Sequence, residues 1–115
     1  MKSFKHAFHG IFTLFKSQKN ARIHALASVI VCMLGFYFGL TKTEWCLIVI
    51  AVAAVWIAEA FNTALEFLAD AASAEYHPLI GKAKNLAAAA VLLSAVGSAA
   101  IGILIIGPYI LGLKT

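Results

Sequence analysis

Glu59, Asn62, Thr63, Glu66 and Asp70 lie in one stretch, EAFNTALEFLAD, that otherwise continues a strongly apolar run. At 100° per residue they share one arc of about 100° on a helix, so an apolar helix carries a single polar stripe. An ionised side chain at mid-membrane costs about 2.5–3.5 kcal/mol, so such a stripe must face protein, water or a cation rather than lipid. Interhelical hydrogen bonding is the plainer reading. That task suits Ser, Asn or Gln better, and the apolar segments offer no basic partners. Carboxylates spaced by one and two helical turns suit a hard ion such as Mg²⁺, and Lys82 and Lys84 follow closely. A phosphate-bearing ligand is the natural guest of that combination. No G-x-x-x-x-G-K-[ST] loop and no G-x-G-x-x-G is present. A nucleotide would therefore be held by metal, lysines and polar side chains rather than by a glycine-rich cradle.

The elements that must position these residues follow from composition. Of 115 residues 63% are hydrophobic and 12% charged, with a mean hydropathy of +0.93, against about 45–50% apolar and about 25% charged in soluble domains. The chain reads as an all-α integral membrane protein of one domain, residues 1–115. Uncharged stretches separate Arg22 from Lys42, Glu44 from Glu59 and Lys84 from Lys114. The first and third suffice for the roughly 20 residues of a spanning helix. The second spans only if it continues through Glu59 toward Glu66, which carries its acids into the membrane or its inner boundary.

An N-terminal amphipathic surface helix is expected over 3–19, where Phe4, Phe8, Ile11, Phe12 and Phe15 fall on one face and Lys5, His9, Lys16 and Lys19 elsewhere. Spans are expected over about 21–40, 45–72 and 86–111. A tight turn at 41–44 joins the first two, and a polar loop broken by Pro78 and Gly81 joins the last two. Gly35 and Gly39, in GFYFG, permit a close helix approach, and the many small residues of the third span suit packing against protein. Pro108 is expected to bend or end that span. Cys32 and Cys46 read as packing residues, with neither disulfide nor zinc site implied. No removable signal peptide is expected. Lys2, Lys5, Lys16, Lys19, Arg22, Lys82 and Lys84 outnumber Lys42 and Lys114 on the opposite side. The N-terminus and the 71–85 loop should therefore face the cytoplasm.

EAFNTALEFLAD followed by EYHPLIGKAKN resembles the small prokaryotic integral-membrane kinases of the diacylglycerol kinase and undecaprenol kinase family. Their pattern reads roughly E-x-x-N-[ST]-x-x-E-x-x-x-D, then E-Y-H, then G-x-A-K-D. The resemblance implies a homotrimer in the bacterial cytoplasmic (inner) membrane, with sites between neighbouring protomers on the cytoplasmic side. It implies transfer of the γ-phosphate of ATP, with Mg²⁺, to a membrane-lipid hydroxyl. Its partners would be lipid, ATP and other copies of itself, with no nucleic acid. On matching positions Glu59 would be the general base, Asn62 would orient the groups around it, and Thr63 and Lys82 would support them. Glu66 would hold metal with Gln18, which stands where relatives carry a second metal-binding Glu. Glu75, His77, Lys84 and Asn85 would contact nucleotide, and Asp70 would give polar support. Gln18 and Asn85 replace a carboxylate by its amide, so weaker Mg²⁺ binding is expected.

Two other readings stand beside the kinase. A family member impaired at Gln18 and Asn85 would act as a nucleotide-binding module. A small cation-coupled transporter would also keep intramembrane carboxylates, although its acids should lie near the midplane. The acceptor, diacylglycerol or undecaprenol, stays open at the level of sequence.

Overall fold

The computed structural model of the chain describes residues 2–72 and 77–114. Among these residues are four helices, α1 (Lys2–Ser17), α2 (Lys19–Phe38), α3 (Lys42–Ala72) and α4 (Pro78–Ile110). Among the described residues, three segments are long and apolar enough to cross a membrane, Asn20–Phe38, Lys42–Ala72 and Pro78–Ile110. Many large apolar side chains of these segments, among them Leu26, Met33, Ile50, Leu93 and Leu104, are exposed, as suits helices whose solvent is hydrocarbon.

The joints between helices are built by local hydrogen bonds. The first helix stops at Ser17, short of the expected residue 19, because Gln18 is extended, with φ −117° and ψ 118°. Its N–H donates to the Leu14 carbonyl at 3.1 Å, and Arg22 donates through Nε to the Phe15 carbonyl and through Nη2 to that of Lys16. Arg22 therefore satisfies carbonyls that a helix end leaves without partners. At the next joint Gly39 takes the left-handed conformation at φ 68°, and its N–H donates to the Gly35 carbonyl at 2.9 Å. A Cβ on Gly35 would come within 2.6 Å of Trp45 Cη2. The close approach allowed by GFYFG is thus that of the Trp45 ring, while Gly39 turns the chain. The span after this turn begins at Lys42 rather than 45. The Thr41 N–H donates to Glu44 Oε1 at 2.9 Å and the Glu44 N–H to Thr41 Oγ1 at 3.2 Å, a reciprocal capping box.

The largest departure from expectation is the start of α4, at Pro78 instead of residue 86. Proline is tolerated at the first helical position, where its missing N–H has no intrahelical partner, and the N-cap His77 accepts at Nδ1 from the Leu79 N–H at 3.1 Å. Lys82, Lys84 and Asn85 therefore stand on the opening turns of a helix, not in a loop. Pro108 lies inside α4, close to its end at Ile110.

Packing is concentrated between α3 and α4. Leu40, Ile48, Ile105, Ile106 and Tyr109 form a buried cluster near the α2–α3 turn, and Ser98 Oγ donates to the Ala51 carbonyl at 2.7 Å. The buried side of α3 runs through Glu44, Ile48, Ala51, Val55, Glu59 and Thr63, a spacing of three and four that keeps them on one face. Beyond the turn end, Glu44 also accepts from Tyr109 Oη and Lys114 Nζ, each at 2.6 Å. Measured along α3 at 1.5 Å per residue, Glu59 lies about 21 Å from Trp45, Glu66 about 32 Å and Asp70 about 38 Å. With Trp45 at one edge of a hydrocarbon layer about 30 Å thick, Glu59 falls inside the layer and Asp70 beyond it.

Candidate active site

The stripe of α3 is divided by depth. Glu59 is 2% exposed and Thr63 5%, Asn62 and Glu66 are half-buried, and Asp70 is exposed. Glu59 Oε1, Asn62 Oδ1 and Thr63 Oγ1 are buried and have no hydrogen-bond partner among the described residues. Buried oxygens are nearly always satisfied, and three orphans within two helical turns need an explanation. All three are hard acceptors carried within five residues of one helix. Such a set can take a proton from a hydroxyl or help coordinate a hard cation.

Two clefts are lined by neighbours of Glu59. One, of about 350 Å³, lies between α1 and α3 and is lined by Gly10, Leu14, Ala60, Thr63 and Phe67 among others. The second, of about 190 Å³, lies between α2, α3 and α4 and is lined by His24, Ser28, Val55, Ser98 and Gly102 among others. Its wall brings in a residue that sequence reading missed. His24 on α2 places Nε2 3.3 Å from Glu59 Oε1, close enough for an ion pair but without the alignment of a hydrogen bond, since Oε1 stays unsatisfied. A histidine inside an otherwise uncharged span was the available signal. It passed unnoticed because a neutral His does not interrupt an uncharged run.

At the shallow end, Lys84 Nζ lies 2.9 Å from Asp70 Oδ1, so the first turns of α4 meet the last turns of α3. The two are 40% and 69% exposed, and a pair so open to solvent holds its lysine weakly enough for a competing anion to take it. Lys82 and Asn85 are exposed on α4, and Gln18 is half-buried at the α1–α2 joint. His77 is exposed and its Nδ1 is engaged by Leu79; Nε2 is the atom left for a ligand. Glu75 lies outside the described residues. Among the described residues no three His, Cys, Asp or Glu groups converge as a metal cluster.

Residues 5–106 match the sequence profile of prokaryotic diacylglycerol kinase. The chain belongs to the prokaryotic diacylglycerol kinase family. It is 38% identical over 107 residues to the undecaprenol kinase of Bacillus subtilis (strain 168), covering 93% of this chain and 87% of that one. It is 34% identical to a diacylglycerol kinase of Synechocystis, over 96% of this chain and 64% of the relative. A diacylglycerol kinase of Haemophilus influenzae is 32% identical, over 82% of this chain and 80% of the relative. As a member of this family the chain is a membrane lipid kinase, an ATP-dependent phosphotransferase. The matched span holds α2, α3 and most of α1 and α4, and with them the whole stripe. Neither the transporter nor the purely nucleotide-binding reading finds support among these relatives.

Proposed function

We propose that this lipid kinase transfers the γ-phosphoryl group of ATP to undecaprenol, with Glu59 as the general base. The observation that carries the assignment of the base is the burial of Glu59, its Oε1 unsatisfied along with the nearby Asn62 Oδ1 and Thr63 Oγ1, at a depth that a membrane-embedded alcohol reaches. The acceptor is suggested by the name of the Bacillus subtilis relative and the 87% of its length that is matched. Diacylglycerol, named for the other relatives, is the competing acceptor. The acceptor oxygen forms a bond to the γ-phosphorus as the bond to the β-phosphate oxygen breaks, and Glu59 receives the hydroxyl proton. Asn62 and Thr63, whose oxygens are likewise unsatisfied, orient the groups around the carboxylate. Lys84 leaves Asp70 for the nucleotide phosphates, with Lys82, His77, Asn85 and Glu75 nearby in sequence. Phosphoryl transfer depends chiefly on such positioning and charge neutralisation.

The residues present suit Mg²⁺ arriving with the nucleotide. That ion is normally held by one or two carboxylates plus substrate phosphates rather than by an all-protein cage, and Glu66 offers the carboxylate, with the amide oxygen of Gln18 as its companion. Bound there, the ion would neutralise phosphate charge. The N-terminus and the start of α4 face the cytoplasm of a bacterial inner membrane, in keeping with their lysines, and three copies assemble so that exposed apolar faces of the spans are covered. Vesicle-reconstituted protein given labelled ATP and both lipids together tests the acceptor: undecaprenol phosphate should dominate. Preferential labelling of diacylglycerol would reverse the assignment.

A further inference from the structure

His6, His9 and His77 are exposed, whereas His24 is half-buried against Glu59. Its place is fixed from two helices. Ser28 Oγ donates to the His24 carbonyl at 2.7 Å, and Trp56 Nε1 on α3 donates to Ser28 Oγ at 3.4 Å. The Phe15 ring of α1 meets Trp56 with centroids 5.1 Å apart. The backbone that carries His24 is thus tied through Ser28 and Trp56 to the helix bearing the carboxylate, and the ring itself reaches Glu59 at 3.3 Å. A Glu carboxylate offers two oxygens with about four lone-pair sites. One of these oxygens, Oε1, is buried and unpartnered 3.3 Å from an imidazole nitrogen. Catalytic hydrogen bonds in substrate-free sites are often long or misaligned and tighten when substrate binds.

We propose that His24 is a positioning residue for Glu59, its Nε2–H donating to Oε1 in the reacting complex so that the other oxygen is aimed at the acceptor hydroxyl. The inference rests on the reading of Glu59 as base. His24 keeps its proton throughout; the hydroxyl proton goes to Glu59, and the phosphoryl group goes to the acceptor oxygen. A ring that merely fills space on the cleft wall, or one that binds the lipid, would behave differently under substitution.

Glutamine carries its amide nitrogen at the reach of Nε2, asparagine at the reach of Nδ1. The test is steady-state lipid phosphorylation by full-length His24→Gln, His24→Asn and His24→Leu protein in phospholipid vesicles containing undecaprenol, beside Glu59→Gln. Misplacing a reacting group by about 1 Å can cost about 100-fold, so His24→Leu and His24→Asn should lose about that much kcat at unchanged KM for ATP and lipid, while His24→Gln stays within about fivefold of the parent. His24→Leu added to Glu59→Gln should lower turnover no further, as for groups that act as a unit. Equal activity of the Gln and Asn variants overturns the proposal, as does a loss that appears in KM or in parallel with melting temperature. Should His24→Leu fail to fold, the Gln and Asn pair decides alone. A dead Glu59→Gln with fully active His24 variants removes His24 and leaves the base in place. A fully active Glu59→Gln removes both.

Discussion

Helix α3 buries two glutamates on the same face, and they are treated in opposite ways. Glu44, by the α2–α3 turn, has both oxygens engaged: Oε1 accepts from the Thr41 N–H and Tyr109 Oη, and Oε2 from Lys114 Nζ. Tyr109 is itself stacked against Phe38 at 5.5 Å between centroids, beside the best-packed part of the bundle. Glu59, at 2% exposure the more deeply buried, has a misaligned histidine and orphaned oxygens around it. Burial is therefore common to both, and satisfaction separates them. A fully partnered buried network rigidifies, whereas a partly satisfied one is costly and persists where something else needs the free groups. Glu44 closes a turn; Glu59 keeps an unsatisfied oxygen, as the proposed role of base requires.

That contrast can be broken or sharpened in several ways. The largest effect is expected for Glu59→Gln: a general base is worth about 10²–10⁴-fold, so kcat in the lipid phosphorylation assay should fall by that factor with ATP binding retained. At the other end, Gly35→Ala drives a methyl into the Trp45 ring, and overpacking of this kind costs about 1–3 kcal/mol. Thermal unfolding should record the loss, while kcat at permissive temperature stays near that of the parent. Lys84→Ala should raise KM for ATP about tenfold through a lost charged hydrogen bond, with Lys84→Arg recovering part of it. Asp70→Asn should do least, since exposed ion pairs contribute about 0–1 kcal/mol; a change in KM for ATP beyond about twofold would mean that Asp70 does more than hold Lys84.

The satisfied end also has a signature in pH. The hydrogen bond to Glu44, foremost, raises Lys114 above the usual lysine value of 10.5. A raised lysine stabilises the fold fully below its unfolded value and loses that contribution as pH climbs through the folded one. Melting temperature should therefore decline above about pH 10.5 in the parent, and the part due to Lys114 should vanish in Glu44→Gln.

Much of this arrangement is legible in the sequence, for definable reasons. Acids in an apolar run must be accounted for, so the period of Glu59, Asn62, Thr63, Glu66 and Asp70 announces the stripe, and uncharged stretches announce the spans. The features that escaped depend on partners distant in sequence or on local chemistry that runs against a residue's usual meaning. Pro78 and Gly81 read as breakers, yet proline at a first helical position with a histidine cap starts α4. Glu44 looked like an ordinary turn residue because Tyr109 and Lys114 lie 65 and 70 residues away. His24 carries no obligatory charge and meets Glu59 only through the antiparallel packing of α2 and α3.

The central claim is that the unsatisfied carboxylate does the chemistry and the satisfied one holds the fold. The most direct measurement is the turnover of Glu59→Gln and Glu44→Gln in one vesicle preparation, normalised to folded protein, with melting temperatures taken on the same samples. The two variants should cross: Glu59→Gln loses turnover and keeps its melting temperature, and Glu44→Gln melts earlier yet turns over like the parent. Equal losses of turnover in both, or a Glu59→Gln that still phosphorylates lipid at the parental rate, would contradict the account.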